Sequence, residues 1–287
     1  MIANRTPVPE RRPSGGRGEQ GVALITALLV VALASIAAVS LVASHQLDIR
    51  RAATSQGFAQ SQLHGRGIEA LAQSVSRQLY EDPAVAEELL AEGCRTPPIG
   101  MELDGIFLEA RLEDLHCRLN LNNLADEEDE ETEQAFIRLV EDLAGEHEIS
   151  MDPEAVVVAL REWIDPEIED DWYRRQTPPY RPGNQPLAVT DELLLVRGMD
   201  RASYHALEPH VTALPATGTE LNLLLAPERI RAAYNLPEPE DIDPEDIELG
   251  DYIRLSLTME IGGRLHHRCT IFHGPSGEVV RRRLEPC

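Results

Sequence analysis

The run Val22–Ala43 constrains this chain more than any other feature. It is almost wholly apolar, and no charged residue occurs from Val22 to Leu47. As a helix rising about 1.5 Å per residue it spans roughly 33 Å, the thickness of a bilayer's hydrocarbon core. Arg5, Arg11, Arg12 and Arg17 precede it, and the first carboxylate after it is Asp48. Arginine-rich flanks stay on the cytoplasmic side. The pattern therefore places Met1 in the cytoplasm and everything beyond Asp48 across the membrane. A cleaved secretory signal has an apolar core of about 7–15 residues, shorter than this one. A plain signal anchor and a processed anchor are the competing readings.

The remaining composition narrows the function. Basic residues number 26 against 50 acidic, a net charge of −24, and every basic residue is Arg. A surface so acidic repels phosphate, which excludes a nucleic-acid partner. Hydrophobic residues make up 43% of the chain, enough to exclude general disorder. Aromatics are only 4%, so the core must be built mainly from Leu, Val, Ala and Ile.

Helical spacing continues past the apolar run. Leu47, Ile49, Phe58, Leu63, Ile68, Leu71, Val75 and Leu79 suit one face of a helix. The pattern predicts one helix from Val22 to about Tyr80, stopped by Asp82-Pro83. Residues 22–44 form its membrane part and residues 45–82 its periplasmic part. Gly57, Gly65 and Gly67 weaken it, and a second reading breaks it near Gly57 or Gly65. Alternation around Gly105 (Met101–Asp104, then Ile106–Glu113) predicts a β-hairpin. Asp251–Ile261, Arg264–Phe272 and Glu278–Leu284 predict three more strands, joined by Gly262-Gly263 and Gly274–Gly277 turns. Between these β segments the chain reads mostly helical, at Ala135–Leu143, Pro153–Ile164, Asp191–Val196, Arg201–Leu207 and Pro227–Tyr234. The fold class is α+β: a long N-terminal helix packed on an antiparallel sheet (residues 84–123 and 249–287) that carries a large helical insertion (residues 124–248).

The junction Arg17-Gly18-Glu19-Gln20-Gly21 followed by Val22-Ala23-Leu24-Ile25 resembles the class III leader of type IV pilins and pseudopilins. Most such chains carry Glu at the fifth position after the cleaved Gly; here Thr26 stands there. A carboxylate in a bilayer is costly unless paired, and a tip subunit has no neighbour above it to supply a partner. Loss of this Glu marks the K-type minor pseudopilins of type II secretion. Two further segments resemble that family. One is Cys117-Arg118-Leu119-Asn120-Leu121-Asn122-Asn123-Leu124. The other runs Trp163-x-Asp165, Glu169-Asp170-x-x-Tyr173, Pro178-Pro179-Tyr180, Asn184, Glu192-Leu193 and Val196-x-Gly198.

The resemblance implies a pilin-like fold with a SAM-like insert. It implies removal of residues 1–21 by prepilin peptidase at Gly21, methylation of Val22, and a single-pass inner-membrane anchor with a periplasmic head. It implies a tip complex with two other minor pseudopilins, served by the inner-membrane assembly platform and facing the secretin or the cargo, in the export of folded proteins. It also implies calcium in the insert, carried onto Asp165, Glu169, Asp170 and Glu192, with Asp171 and Asn184 as further candidates. Dense carboxylates suit a hard cation that takes 6–8 oxygens. The acidic runs Asp126–Glu133 and Glu238–Glu248 read as solvated faces or loops, the first also favouring a helix start.

Cys94, Cys117, Cys269 and Cys287 form no C-x-x-C pair, which disfavours zinc. In an oxidising compartment they allow three disulfide pairings, and sequence neighbours favour Cys94–Cys117 with Cys269–Cys287. Free thiols are the alternative. Glu192–Asp200 resembles a helix-hairpin-helix turn, but Gly198 is followed by Met199 and Asp200 and lacks the second Gly that presents backbone N–H groups to phosphate. A packing role is expected. No G-x-S-x-G, H-E-x-x-H or phosphate loop occurs, and His266, His267 and His273 fall in strands. The expectation is a structural subunit and not an enzyme. The alternative is a signal-anchored periplasmic hydrolase or binding protein that uses calcium.

Overall fold

A computed structural model describes residues 17–90, 93–147, 149–167, 171–237 and 248–287. Helix α1 (Arg17–Glu81) is continuous, which corrects the reading in two helices. The chain divides into two units, Met1–Phe58 and Ala59–Cys287. In the first, the described residues are the N-terminal part of α1. Its most apolar 18-residue window has a mean hydropathy of 2.7 and is wholly exposed. Such a helix fits a single-pass membrane anchor. Of the expected leader, residues 1–16 lie outside the described residues; Gly21 and Val22 lie within the helix.

In the second unit α1 ends at Glu81, before Asp82-Pro83 as the sequence predicts. Pro83 then opens a short helix that the pattern did not show, α2 (Pro83–Leu90). Proline suits a first turn because its missing N–H has no partner there anyway. Strands β1 (Ile99–Leu103) and β2 (Ile106–Asp114) form the hairpin, turning at Asp104 and Gly105, both at positive φ. After the insert come β5 (Tyr252–Ile261), β6 (Arg264–His273) and β7 (Glu278–Arg283). The sheet order is β1-β2-β5-β6-β7, antiparallel throughout. β2 pairs directly with β5, Asp114 opposite Ile253. The insert therefore leaves and re-enters between adjacent strands, so its bulk does not disturb the ladder.

One face of the sheet is apolar at every second residue of β5 (Ile253, Leu255, Leu257, Met259, Ile261), and α1 covers it. The buried stripe of α1 is Ser61, Gly65, Ile68, Ala72, Ser76 and Leu79, at helical spacing. This corrects the predicted face: Leu63 is 70% exposed and Leu71 51%. Small residues form the stripe because α1 lies close to the strands. Gly65 shows why. A Cβ there would sit 2.5 Å from Nε of Arg268. Arg268 is fully buried and donates to Glu69 Oε1 (2.9 Å) and Gln62 Oε1 (2.6 Å). Glu69 also accepts from Thr270 (2.7 Å) and from Nε and Nη2 of Arg282 (2.7 and 2.8 Å). Burial pushes the Glu69 carboxyl up, but these hydrogen bonds outweigh it and hold it below the usual range.

A second buried charge sits where the insert joins. Glu113 accepts from Arg95 (2.9 Å), Arg118 (2.8 Å) and Arg254. Burial pushes its carboxyl up, yet three guanidiniums hold it at about 2. Next to it, Asp114 accepts from the N–H of His116 (2.9 Å), Asn222 Nδ2 (2.9 Å) and the N–H of Gly250 (3.1 Å), tying both ends of the insert together. Burial pushes the Asp114 carboxyl up. Cys94 bonds Cys117 beside this junction, and Cys269 of β6 bonds Cys287, which follows β7.

The insert has its own core. Strand β3 (Leu119–Asn120) pairs in parallel with β4 (Val211–Thr212). Around them pack α3 (Glu130–Glu146), α4 (Pro153–Ile164), the one-turn α5 (Asp171–Arg174), α6 (Arg201–Leu207) and α7 (Glu228–Ala233). The predicted helix at Asp191–Val196 is a 3-10 turn, Thr190–Leu195. Leu119 and Leu121, which the sequence groups with the β half, belong to this helical core. Asp129 caps α3, and Glu130, Glu131 and Glu133 fill its first turn. The first acidic run thus meets the positive end of a helix.

Two substitutions test this packing. Gly65→Ala gains about 1 kcal/mol of helix propensity, but Arg268 is pinned and cannot retreat. The variant is expected to lose about 1–3 kcal/mol overall in urea unfolding of the detergent-solubilised chain; a midpoint at or above wild type contradicts the close approach. For Glu113, the charged form is favoured in the fold, so its contribution is complete above the ordinary carboxyl range and fades as pH falls towards about 2. The stability gap between wild type and Glu113→Gln should be about 3 kcal/mol near neutrality and shrink steadily through acid. A gap independent of pH excludes the ion-pair account.

Candidate functional site

The Cys117–Leu124 segment is a scaffold for the insert's loops. Asn120, Asn122 and Asn123 are all buried. Asn122 donates to the carbonyls of Leu187 (3.0 Å) and Leu214 (2.7 Å) and accepts from the N–H of Leu187 (2.8 Å). Asn120 Nδ2 donates to Asn123 Oδ1, the Ala216 carbonyl and Thr219 Oγ1, each at 2.9 Å. Asn123 donates to the Thr219 carbonyl (2.9 Å). An amide side chain carries donor and acceptor together, so it can replace a strand partner where the chain has none. The signal the sequence carries for this scaffold is three Asn set among Leu119, Leu121 and Leu124.

An aromatic cluster packs beside the end of α4. Trp163 meets Tyr173 edge-on (centroids 5.4 Å), Trp172 meets Tyr173 (5.0 Å) and Tyr180 meets Tyr173 (5.5 Å). Tyr180 donates to the Leu195 carbonyl at 2.9 Å. Burial pushes the Tyr173 hydroxyl up to about 12, so it stays protonated. Gly183 lies against the indole: a Cβ there would be 2.7 Å from Trp163 Nε1. Glycine lets the Pro182–Gln185 segment press onto the ring.

The metal-ligand candidates fall in three places. Asp165 ends α4 and accepts the Glu167 N–H at 2.8 Å. Asn184, at φ 51°, donates its N–H to the Trp163 carbonyl at 2.8 Å, which brings it beside the same helix end. Asp171 starts α5 and lies 3.6 Å from Arg174 on the surface. Glu192 Oε1 accepts from the N–H groups of Ala188 (2.9 Å) and Val189 (3.2 Å), bracing the 3-10 turn. Glu169 and Asp170 lie outside the described residues. Among the described residues no three acidic, His or Cys side chains gather as a metal site. The donors are hard oxygens of the right kind, but the described ones do not complete a site by themselves.

The hairpin-like turn has a clear reading. Gly198 adopts φ 89°, and Asp200 then caps α6, accepting from the N–H groups of Ala202 (2.8 Å) and Ser203 (3.0 Å). A carboxylate occupies the helix start where a phosphate would bind, so the turn is a packing device. His267 pairs with Thr258 across the strands (3.2 Å) and His273 with Ser276 (2.8 Å).

The remaining feature is the outward stripe of α1. Leu63 and Leu71 are exposed, and nothing lies within 4 Å of a Cβ added at Gly67 between them. Thr26 is exposed in the apolar part of the helix.

Comparison with known proteins matches residues 117–216 to the family "Type II secretion system (T2SS), protein K". "Type II secretion system protein K" of Pseudomonas aeruginosa is 33% identical over 214 residues, 69% of this chain and 63% of that one. Its counterpart from Klebsiella pneumoniae is 30% identical over 229 residues, 74% of this chain and 68% of that one. The chain thus spans about two thirds of the length of these curated relatives. In fold it matches a chain of the GspK-GspI-GspJ complex from the enterotoxigenic Escherichia coli type 2 secretion system. The TM-score is 0.63 at 21% identity, covering 83% of this chain and 100% of that one. With that fold, that asparagine scaffold and those relatives, the chain belongs to the type II secretion system protein K family.

Proposed function

We propose that this chain is a structural, non-catalytic subunit that caps the tip of the type II secretion pseudopilus during export of folded proteins. Prepilin peptidase removes residues 1–21 at Gly21, and Val22 becomes the methylated N-terminus. Residues 22–44 anchor it in the inner membrane with the head in the periplasm. The assembly platform works on the anchor, and the insert faces the secretin or the cargo. The observation that carries this reading is the second apolar stripe on α1. Leu63 and Leu71 face away from the sheet at 70% and 51% exposure. Burying a leucine yields about 1.5–3 kcal/mol, so this stripe is suited to a neighbouring helix. The matched solved chain was determined as a GspK-GspI-GspJ complex, which supports two other minor pseudopilins as the partners. Thr26 supports a tip position, since it spares the bilayer an unpaired carboxylate.

Calcium is the second part of the proposal. Asp165 and Glu167 stand at the C-terminal end of α4, where the helix already presents partial negative charge. Asn184 lies beside that end, and Glu169 and Asp170 follow in sequence. A hard divalent cation there neutralises this crowding, with Asp165 and Asn184 as its described ligands and Glu169, Asp170, Asp171 and Glu192 as the remaining candidates.

Expressed with the other minor pseudopilins and the peptidase, the chain should begin at Val22 and co-purify with two of them. Gly21→Ala should keep the leader, and Leu63→Glu with Leu71→Glu should lose the partners without lowering the unfolding midpoint. A mature N-terminus beyond the apolar run, or a monomer beside both partners, rejects the tip reading. For calcium, the chelator-treated chain should gain Tm on calcium addition by mass action, and Asp165→Asn should blunt the gain. An unmoved wild-type Tm rejects calcium binding.

A further inference from the structure

The geometry points to an oxyanion-binding cavity between the C-terminal strands and the insert, with Arg281 as its uncommitted donor. The cavity holds about 310 Å³, and Arg118, Arg254, Arg281 and Arg283 line it. Four guanidiniums in one cavity are unexpected in a chain with net charge −24. Acids balance these charges in number, but their pairing is uneven and leaves Arg281 without a hydrogen-bonded carboxylate among the described residues. Arg118 and Arg254 share the single carboxylate of Glu113 with Arg95. Arg283 is divided between Asp191 (2.7 Å) and Glu285 (2.7 Å), which also line the cavity. Glu208, the third lining acid, stands 3.9 Å from His205. Arg281 is half-buried and, among the described residues, makes no side-chain hydrogen bond or ion pair. Nε of Arg254 is likewise buried without an acceptor among the described residues.

Burial, with the charge of Arg283, lowers the pKa of Arg281, and only Glu192 acts against it. Burial and the charges of Arg229, Arg118 and Arg95 lower that of His210. A guanidinium keeps its charge at any physiological pH, so burying Arg281 unpaired is costly. Its planar fork matches a carboxylate or a phosphate through two parallel hydrogen bonds. The volume is at the small end of ligand pockets. The Cys269–Cys287 disulfide forms part of the wall and holds the last strand in place, so the donors are set before a ligand arrives. The ligand class is a small oxyanion, either free or borne by an acidic segment of another protein.

Isothermal titration of the full chain in non-ionic detergent, with inorganic phosphate and with an acetylated Glu-Glu dipeptide, tests this. Saturable binding of one ligand per chain is expected. Arg281→Gln should weaken it about tenfold without lowering the unfolding midpoint, because no side-chain hydrogen bond or ion pair is lost. Arg201→Gln, which removes an exposed charge on α6, should leave it unchanged. Tighter binding of the dipeptide assigns the site to a protein carboxylate; tighter binding of phosphate assigns it to a free anion. No saturable binding of either at millimolar concentration, or equal binding by wild type and Arg281→Gln, overturns the proposal.

Discussion

Everything in the head depends on how closely α1 approaches the sheet. The stripe it buries is made of Ser61, Gly65, Ile68, Ala72, Ser76 and Leu79, so few bulky side chains hold the two layers apart. That closeness is what lets Arg268 reach Glu69 and Gln62 from β6. A buried pair of this kind adds little net stability compared with apolar packing, but removing one partner strands a charge and is severe. Its effect is register: only one rotation and one height of α1 satisfy Glu69 with Arg268, Thr270 and Arg282 together. Fixing that rotation also decides which residues point outward, and Leu63 and Leu71 are available to a partner for this reason.

The second constraint is closure of the insert. A segment can be added to an antiparallel sheet without cost to the ladder if its ends meet at the spacing of neighbouring strands. Here Asp114 and Ile253 are ladder partners. Asp114 then holds Asn222 and Gly250, while Glu113 gathers Arg95, Arg118 and Arg254. The insert can therefore carry its own core, its own asparagine scaffold and its own acidic loop while the pilin-like sheet stays intact.

Charge is unevenly distributed. Arg95, Arg118 and Arg254 gather on Glu113, Arg268 and Arg282 gather on Glu69, and Arg281 and Arg283 line the cavity beside the last strand. The chain has no lysine, and guanidinium is the cation best able to stay charged and multiply hydrogen-bonded when buried.

Local pattern alone determined several features: the apolar helix, the hairpin at Asp104-Gly105, the three C-terminal strands and the insert's helices α3, α4, α6 and α7. Each depends on neighbours within a few residues, which a sequence displays directly. Gly65 read as a weak point in the helix, and Leu63 and Leu71 read as core. Tertiary structure reversed both, because burial depends on what the sheet presents opposite, some two hundred residues away in sequence. The same holds for Asn120, Asn122 and Asn123, whose partners lie in distant loops, and for Arg281, whose significance lies in an acceptor that three-dimensional packing does not supply. Periodicity names the elements, but only packing decides which face is spent on the core and which remains for a partner.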